Sequence, residues 1–370
     1  MKTKRVFVVI AFLLIAITLF AAGCGSKQTS APGNQNQGKD KLKVGFVFIG
    51  PVTDGGWNTS HNNGRLYLEK QLPYVETIFV QNVPAGSDSE RVMRQLIQQG
   101  AKVIVATSFN YGDTVKKLAK EFPDVYFLHA TGLEVAPNVS TYDIREYEGT
   151  YLTGMVAGKM TKTNIIGYVA ANPIPCVVRA INGFAMGVKA VNPNAKVKLL
   201  WTSTWYDPAK EKEAALSLAD EKADVLAQYQ DSPAVQQAAQ ERGIYSIGYH
   251  ADMRHFAPQA NLTSFTWNWG PIYVQEVKAY HDGNWKGKAI WASAQEGAAT
   301  IAPLNDKLVP ADIKKLVEET KDKLSKGELT VFKGPIKDNK GKTIVGEGQK
   351  ISDAELVKCN WLLDNIEGKL

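Results

Sequence analysis

From residue 42 onward, apolar positions fall into short β-branched runs separated by stretches in which apolar residues recur every three or four positions. Strand-like runs at residues 43–49, 77–81, 103–107 and 125–129 alternate with helical stretches at 60–71, 89–99 and 112–122. After a short passage at 140–148 the rhythm restarts. Runs at 165–169, 196–200, 225–228 and 245–248 are spaced by helical stretches at 177–191, 208–221 and 233–242. Strand and helix in strict alternation predict an α/β fold with parallel sheets flanked by helices, in two similar lobes. A helix at 149–160 opens the second half with Gly149, Gly154 and Gly158, a spacing that either permits close helix packing or is merely tolerated. Beyond Gly248 the alternation weakens to a crossing strand at 263–269, a helix at 271–283, a hairpin-like segment at 291–301 and a helix at 310–326. A last helix is expected at 352–366, opened by the capping-box pattern Ser352-x-x-Glu355. The expected division is residues 41–145 with about 250–285 in an N-terminal lobe, and 146–249 with about 286–370 in a C-terminal lobe.

The chain's first residues follow another pattern. Lys2, Lys4 and Arg5 precede an apolar run at 6–22 broken only by Thr18, and Gly23-Cys24 follows. That is the order of an export signal, and the run is short for a spanning helix, which needs roughly 20 residues. Ala21-Ala22-Gly23-Cys24 resembles the bacterial lipobox, although Leu is commonest at the first of these positions. The resemblance implies a signal peptide at 1–23, a lipidated Cys24 and a location at the outer face of the cell membrane. Residues 24–40, rich in Gly, Ser, Asn and Gln, form the expected flexible tether. Removing the signal leaves 40 basic against 37 acidic residues, a balance too mild for a nucleic-acid partner. The remaining cysteines, Cys176 and Cys359, read as buried free thiols, with a disulfide between them left open.

In open α/β sheets ligands collect beyond the carboxyl ends of the strands. Here those loops carry Trp57 and Asn58; Phe109, Tyr111 and Asp113; Trp205 and Tyr206; Asp231; His250 and Asp252; and Trp267. Aromatic rings interleaved with amides and carboxylates suit a flat, hydrogen-bonding ligand such as a nucleobase, while any single ring could equally be core packing. No phosphate loop, nucleophile elbow or H-E-x-x-H motif occurs. His250 and His255 are the closest histidine pair and have no cysteine near them in sequence, so neither a metal nor a cofactor is expected. Asp54, Asp113, Asp231 and Asp252 lack a nucleophile or metal to work with and read as ligand contacts or helix caps. The expectation is a binding protein, not an enzyme.

The blocks Lys43-Val-Gly-Phe-Val-Phe-Ile49, Asp54-Gly-Gly-Trp-Asn58, Phe122-Pro-Asp-Val-Tyr-Phe127 and Gly183-Phe-Ala-Met-Gly-Val-Lys-Ala-Val-Asn-Pro193 resemble the basic membrane protein family. So do Trp205-Tyr-Asp207, Ala223-Asp-Val225 and Ile247-Gly-Tyr-His-Ala-Asp252, which extends the similarity over nearly all of residues 42–300. The resemblance implies a type I periplasmic-binding-protein fold, two Rossmann-like lobes joined by a multi-strand hinge and closing on a ligand. It also implies partners: a purine nucleoside, the permease and ATPase subunits of an ABC importer, and the membrane through the lipid. Stacking rings would fall at Trp57 and Trp205, with base or sugar contacts from Asn58 and Asp113. The family's pattern places an Asp and a Lys on the ribose where this chain has His250 and Trp267. An imidazole and an indole remove strong hydroxyl partners and fill volume with ring. The expected ligand is therefore a sugar-free purine base such as adenine; a whole nucleoside, a ligand-sensing receptor subunit and a nucleoside hydrolase are the alternatives.

Overall fold

The computed structural model describes residues 41–370, so the expected signal peptide, the Cys24 anchor and the tether lie outside the described residues. The first half runs β1 (Leu42–Val47), α1 (Trp57–Gln71), β2 (Val75–Val80), α2 (Ser87–Gln98), β3 (Val103–Ala106), α3 (Gly112–Glu121), β4 (Tyr126–Ala130) and β5 (Val139–Ile144). The second runs α4 (Glu146–Met160), β6 (Ile165–Ala170), α5 (Pro175–Val191), β7 (Lys196–Trp201), α6 (Pro208–Asp220), β8 (Val225–Tyr229), α7 (Ala234–Glu241), β9 (Tyr245–Gly248) and β10 (Asn261–Trp267). Then follow α8 (Gly270–His281), β11 (Ala289–Ala292), β12 (Ala299–Ile301), α9 (Ala311–Ser325), β13 (Ile336–Lys337), β14 (Thr343–Val345), α10 (Asp353–Leu356) and β15 (Ile366–Glu367).

Two sheets result, ordered β11-β5-β4-β3-β1-β2 and β12-β10-β9-β8-β6-β7-β15. Their winding is the same: β2-β1-β3-β4-β5 in the first recurs as β7-β6-β8-β9-β10 in the second. Within these two sheets all pairs are parallel except β10 with β12, and β13 and β14 form a separate antiparallel pair. Strands such as β3 and β8 are buried along their whole length, because helices cover both faces of a parallel sheet, and so they read as unbroken apolar runs.

The later crossings differ from expectation. Residues 250–285 divide between the sheets: β10 extends the second, while α8 packs against α1 of the first. Residues 291–301 are not a hairpin, since β11 pairs with β5 in one sheet and β12 with β10 in the other. The expected helix at 352–366 stops at Leu356, although its capping box forms as read. Beyond it the chain is irregular, turning at 357–358 and 364–365, and the Asn182 side chain accepts from Leu363 N at 2.9 Å and donates to Trp361 O at 2.7 Å. β15 then adds to β7.

The chain thus passes between sheets three times, at β5–α4, β10–α8 and β11–β12. These passages are tied side by side: Arg145 N donates to Ala292 O at 2.8 Å, Asn268 N to Ala298 O at 3.1 Å, and Asn268 Nδ2 to Gly297 O at 2.7 Å. Behind them, α4 is buried nearly all round and packs tightly on α5. A Cβ on Gly154 would lie 2.0 Å from Phe184 O, and one on Gly187 would lie 1.9 Å from Tyr151 O, so the backbones approach where no side chain fits. Cys176 and Cys359 are free thiols.

Candidate functional site

The loop after β1 is shaped by Asp54. Its Oδ1 accepts from Gly56 N (2.8 Å) and Thr59 N (3.0 Å), and its Oδ2 from Asn58 N (3.0 Å) and Asn58 Nδ2 (2.8 Å). These are donors that the first turn of α1 leaves unpaired, and a carboxylate there also complements the helix dipole. Asn58 uses its remaining oxygen on Gly50 N at 3.1 Å. Asn58, expected to read a ligand, is therefore a brace of the loop. Gly56 is where the sheets' loops touch: a Cβ there would stand 2.6 Å from Asp231 O on the second sheet's side.

That bracing presents Trp57. Its Nε1 donates to Thr107 O at 2.7 Å, which spends the ring's one hydrogen-bonding group and leaves its faces for contact. Four rings hold the indole, each near-perpendicular to it: His61 at 4.4 Å between centroids, Trp269 at 5.6 Å, Trp267 at 5.8 Å and His250 at 6.2 Å. Edge-to-face contacts of this kind are favourable beyond the area they bury. His61 lies flat on Trp269 (4.5 Å, 9°), and its Nδ1 is 2.5 Å from Tyr273 Oη. Trp269 in turn stacks on Trp267 (5.0 Å, 11°).

On the second sheet's side, Trp267 Nε1 donates to His250 Nδ1 at 2.8 Å, which assigns the proton of neutral His250 to Nε2. Asp231 Oδ1 stands 2.8 Å from that Nε2, although no hydrogen bond lies in line. His250 is 2% exposed and Trp267 6% exposed, and His250 takes the left-handed conformation (φ 72°), which few non-glycine residues adopt. Asp231 N donates to Trp205 O at 3.1 Å, which brings Trp205 to the same junction. Trp205 and Tyr206 remain 43% and 57% exposed, with Phe109 exposed on the first sheet's side.

The structure therefore brings together Trp57, Trp205, Asp231, His250 and Trp267. It corrects two other expectations. Tyr111 is fully buried in the core of the first half, its hydroxyl donating to Val83 O at 2.6 Å, because the turn at 109–111 points it inward. Asp252 is engaged by Arg254, whose Nη2 lies 2.6 Å from Oδ2; partial burial pushes its carboxyl up, but the guanidinium wins and holds it below its ordinary range. Asp113 sits exposed in the first turn of α3, as an N-terminal helix acid does. Among the described residues no three His, Cys, Asp or Glu side chains gather as metal ligands. Sequence reasoning passed over His61, Trp269 and Tyr273 as site residues. The usable signals were Trp57-x-x-x-His61, one helical turn apart, and Trp267-x-Trp269 at a strand end.

Comparison with known proteins agrees with this architecture. A protein of Conexibacter woesei, described as a solute-binding protein of an ABC transporter system, superposes with a TM-score of 0.67 at 24% identity, over 78% of this chain and 98% of its own. An ABC transporter solute-binding protein of Aeropyrum pernix gives 0.65 at 21% identity, over 80% and 93%. In sequence, a purine-binding protein of Brucella abortus is 43% identical over 339 residues, spanning 91% of this chain and 96% of the relative. TsgA13 of Haloferax volcanii, named for glucose binding in an ABC transporter, is 38% identical over 313 residues, 84% of this chain and 78% of the relative. The model of the Bmp family, the PnrA-like ABC transporter substrate-binding proteins, matches residues 41–331, and the chain belongs to that family.

Proposed function

We propose that this substrate-binding protein captures a purine base of the adenine type between its two sheets and delivers it to an ABC permease. As a family of ABC importers' binding proteins, the Bmp proteins work on the extracytoplasmic side. Trp57 and Trp205 offer faces to the base, and Asp231 offers a carboxylate to its donors. The observation that carries the choice of a free base is the Trp267–His250 hydrogen bond at 2.8 Å. The two residues at the positions where the family's pattern has ribose partners are buried and bonded to each other, which leaves little there for sugar hydroxyls. The purine-binding relative from Brucella abortus points to the same ligand class.

Calorimetry on residues 25–370 tests this. Adenine is expected to bind at least about tenfold tighter than adenosine, the margin of one lost hydrogen-bonding fit at about 1.4 kcal/mol. Adenosine binding as tightly as adenine overturns the free-base reading. The similarity to TsgA13 favours one second reading, a sugar, and glucose bound more tightly than either purine would establish it. The lipid anchor is part of the proposal. Cys24→Ser is expected to move the protein from the membrane fraction to the soluble fraction, and unchanged fractionation removes the anchor from it.

A further inference from the structure

His61 is buried completely, yet only one of its ring nitrogens is used. Nδ1 meets Tyr273 Oη, and Nε2 has neither a partner nor exposure to water. A polar atom left so inside a protein is costly, and it persists where the ring does something else. Here the ring stacks flat on Trp269 and presents itself to Trp57 at 4.4 Å, closer than any other ring against that indole. We propose that His61 is a positioning residue, holding Trp57 for the ligand and, through the Trp269–Trp267 stack, the two sheets closed around it. This rests on the reading that Trp57 faces the ligand.

The surroundings of His61 decide how it responds to protons. From α8 it meets the Tyr273 hydroxyl; from β5, Tyr142, whose ring is 6.1 Å away and whose hydroxyl is 3.0 Å from that of Tyr273. From the β10–α8 passage it meets Trp269, and from its own helix Trp57. Across the junction stands His250, with Asp231 beside it. A charge on His61 would sit among rings with an unsatisfied nitrogen. Burial first, and His250 second, hold it well below the ordinary histidine range. Lifting Trp57 off the ring would admit water to Nε2, so the open form would bind the proton more readily than the closed form. Proton uptake therefore favours opening. Closure, and with it ligand affinity, is complete above the ordinary histidine pKa of about 6.5 and falls as the pH drops below it.

The test is adenine calorimetry from about pH 8 to about pH 5.5, the window in which histidine changes charge. The native protein is expected to lose about tenfold in affinity across it. His61→Phe keeps a flat ring on Trp269; it is expected to lower affinity about threefold at the upper pH and then to lose no more. His61→Ala is expected to lower affinity at least tenfold throughout. A native pH slope retained in His61→Phe, or native affinity in His61→Ala, overturns the inference. Trp57→Ala is the control for the underlying reading: if it binds adenine normally, the proposed site itself is wrong. Should the native protein bind no adenine, Trp57 emission decides, taken as native minus Trp57→Phe. Its change between the two pH values is expected in the native protein and absent in His61→Phe, and the same change in both overturns the inference.

Discussion

Trp205 and Trp57, the two rings proposed to face the ligand, are held in different ways. Trp57 is locked by four neighbours and a hydrogen bond, so replacing it removes packing as well as any ligand contact. Trp205 is held through its backbone and a looser tilted contact with the Tyr229 ring at 6.4 Å, and is 43% exposed. Trp205→Ala is therefore expected to leave the melting temperature within about 2 °C, as exposed substitutions do, while costing about 1–3 kcal/mol of base stacking. Calorimetry should show adenine affinity lower by roughly 5- to 150-fold; unchanged affinity would take Trp205 out of the site. At this scale the sequence put Trp205, Asp231, His250 and Trp267 at strand ends, and they do meet at one junction. It misled where a side chain's direction depends on one turn, as at Tyr111, and where a neighbour claims a charge, as Arg254 claims Asp252.

Among the elements, α4 and α5 form the most demanding contact. Gly187→Ala would put a methyl 1.9 Å from Tyr151 O, and the helices can relieve that only by separating. Overpacking of this kind costs about 1–3 kcal/mol or more, so a fall in melting temperature of at least roughly 5 °C is expected in a thermal scan. Strand and helix alternation up to Gly248 was legible because each strand is a short apolar run and each helix shows its own period. β5 was read as a connecting passage, because Ser140, Thr141 and Asp143 interrupt its apolar residues, although Ser140 and Thr141 are buried. The partition of β11 and β12 between sheets was beyond the sequence, since hydrophobic pattern specifies a strand but not its partner. Where the helix expected at 352–366 gives out, the chain is bonded by Asn182, 181 residues from Leu363 in the chain, a partner that no local pattern reveals.

For the molecule as a whole, the passages between sheets also carry a titrating group. Glu148, in α4, accepts from Ala294 N at 2.6 Å, and burial pushes its carboxyl up to about 7. A carboxyl raised in the folded state holds its proton more tightly than in the unfolded chain. Its contribution to stability is complete below about pH 4.3 and is lost as the pH rises towards 7. Glu148→Gln is expected to melt with a shallower decline between about pH 5 and about pH 8 than the native protein; parallel profiles would exclude Glu148 as the source.

The same three passages fix what kind of movement the molecule can make. A single connecting strand is a swivel, free to twist and slide; three bonded edge to edge behave as the leaf of a door hinge. Arg145 cannot turn without Ala292, nor Asn268 without Gly297 and Ala298. Sliding and twisting are suppressed, and one rotation remains. One rotation gives the two sheets a single path between apart and together.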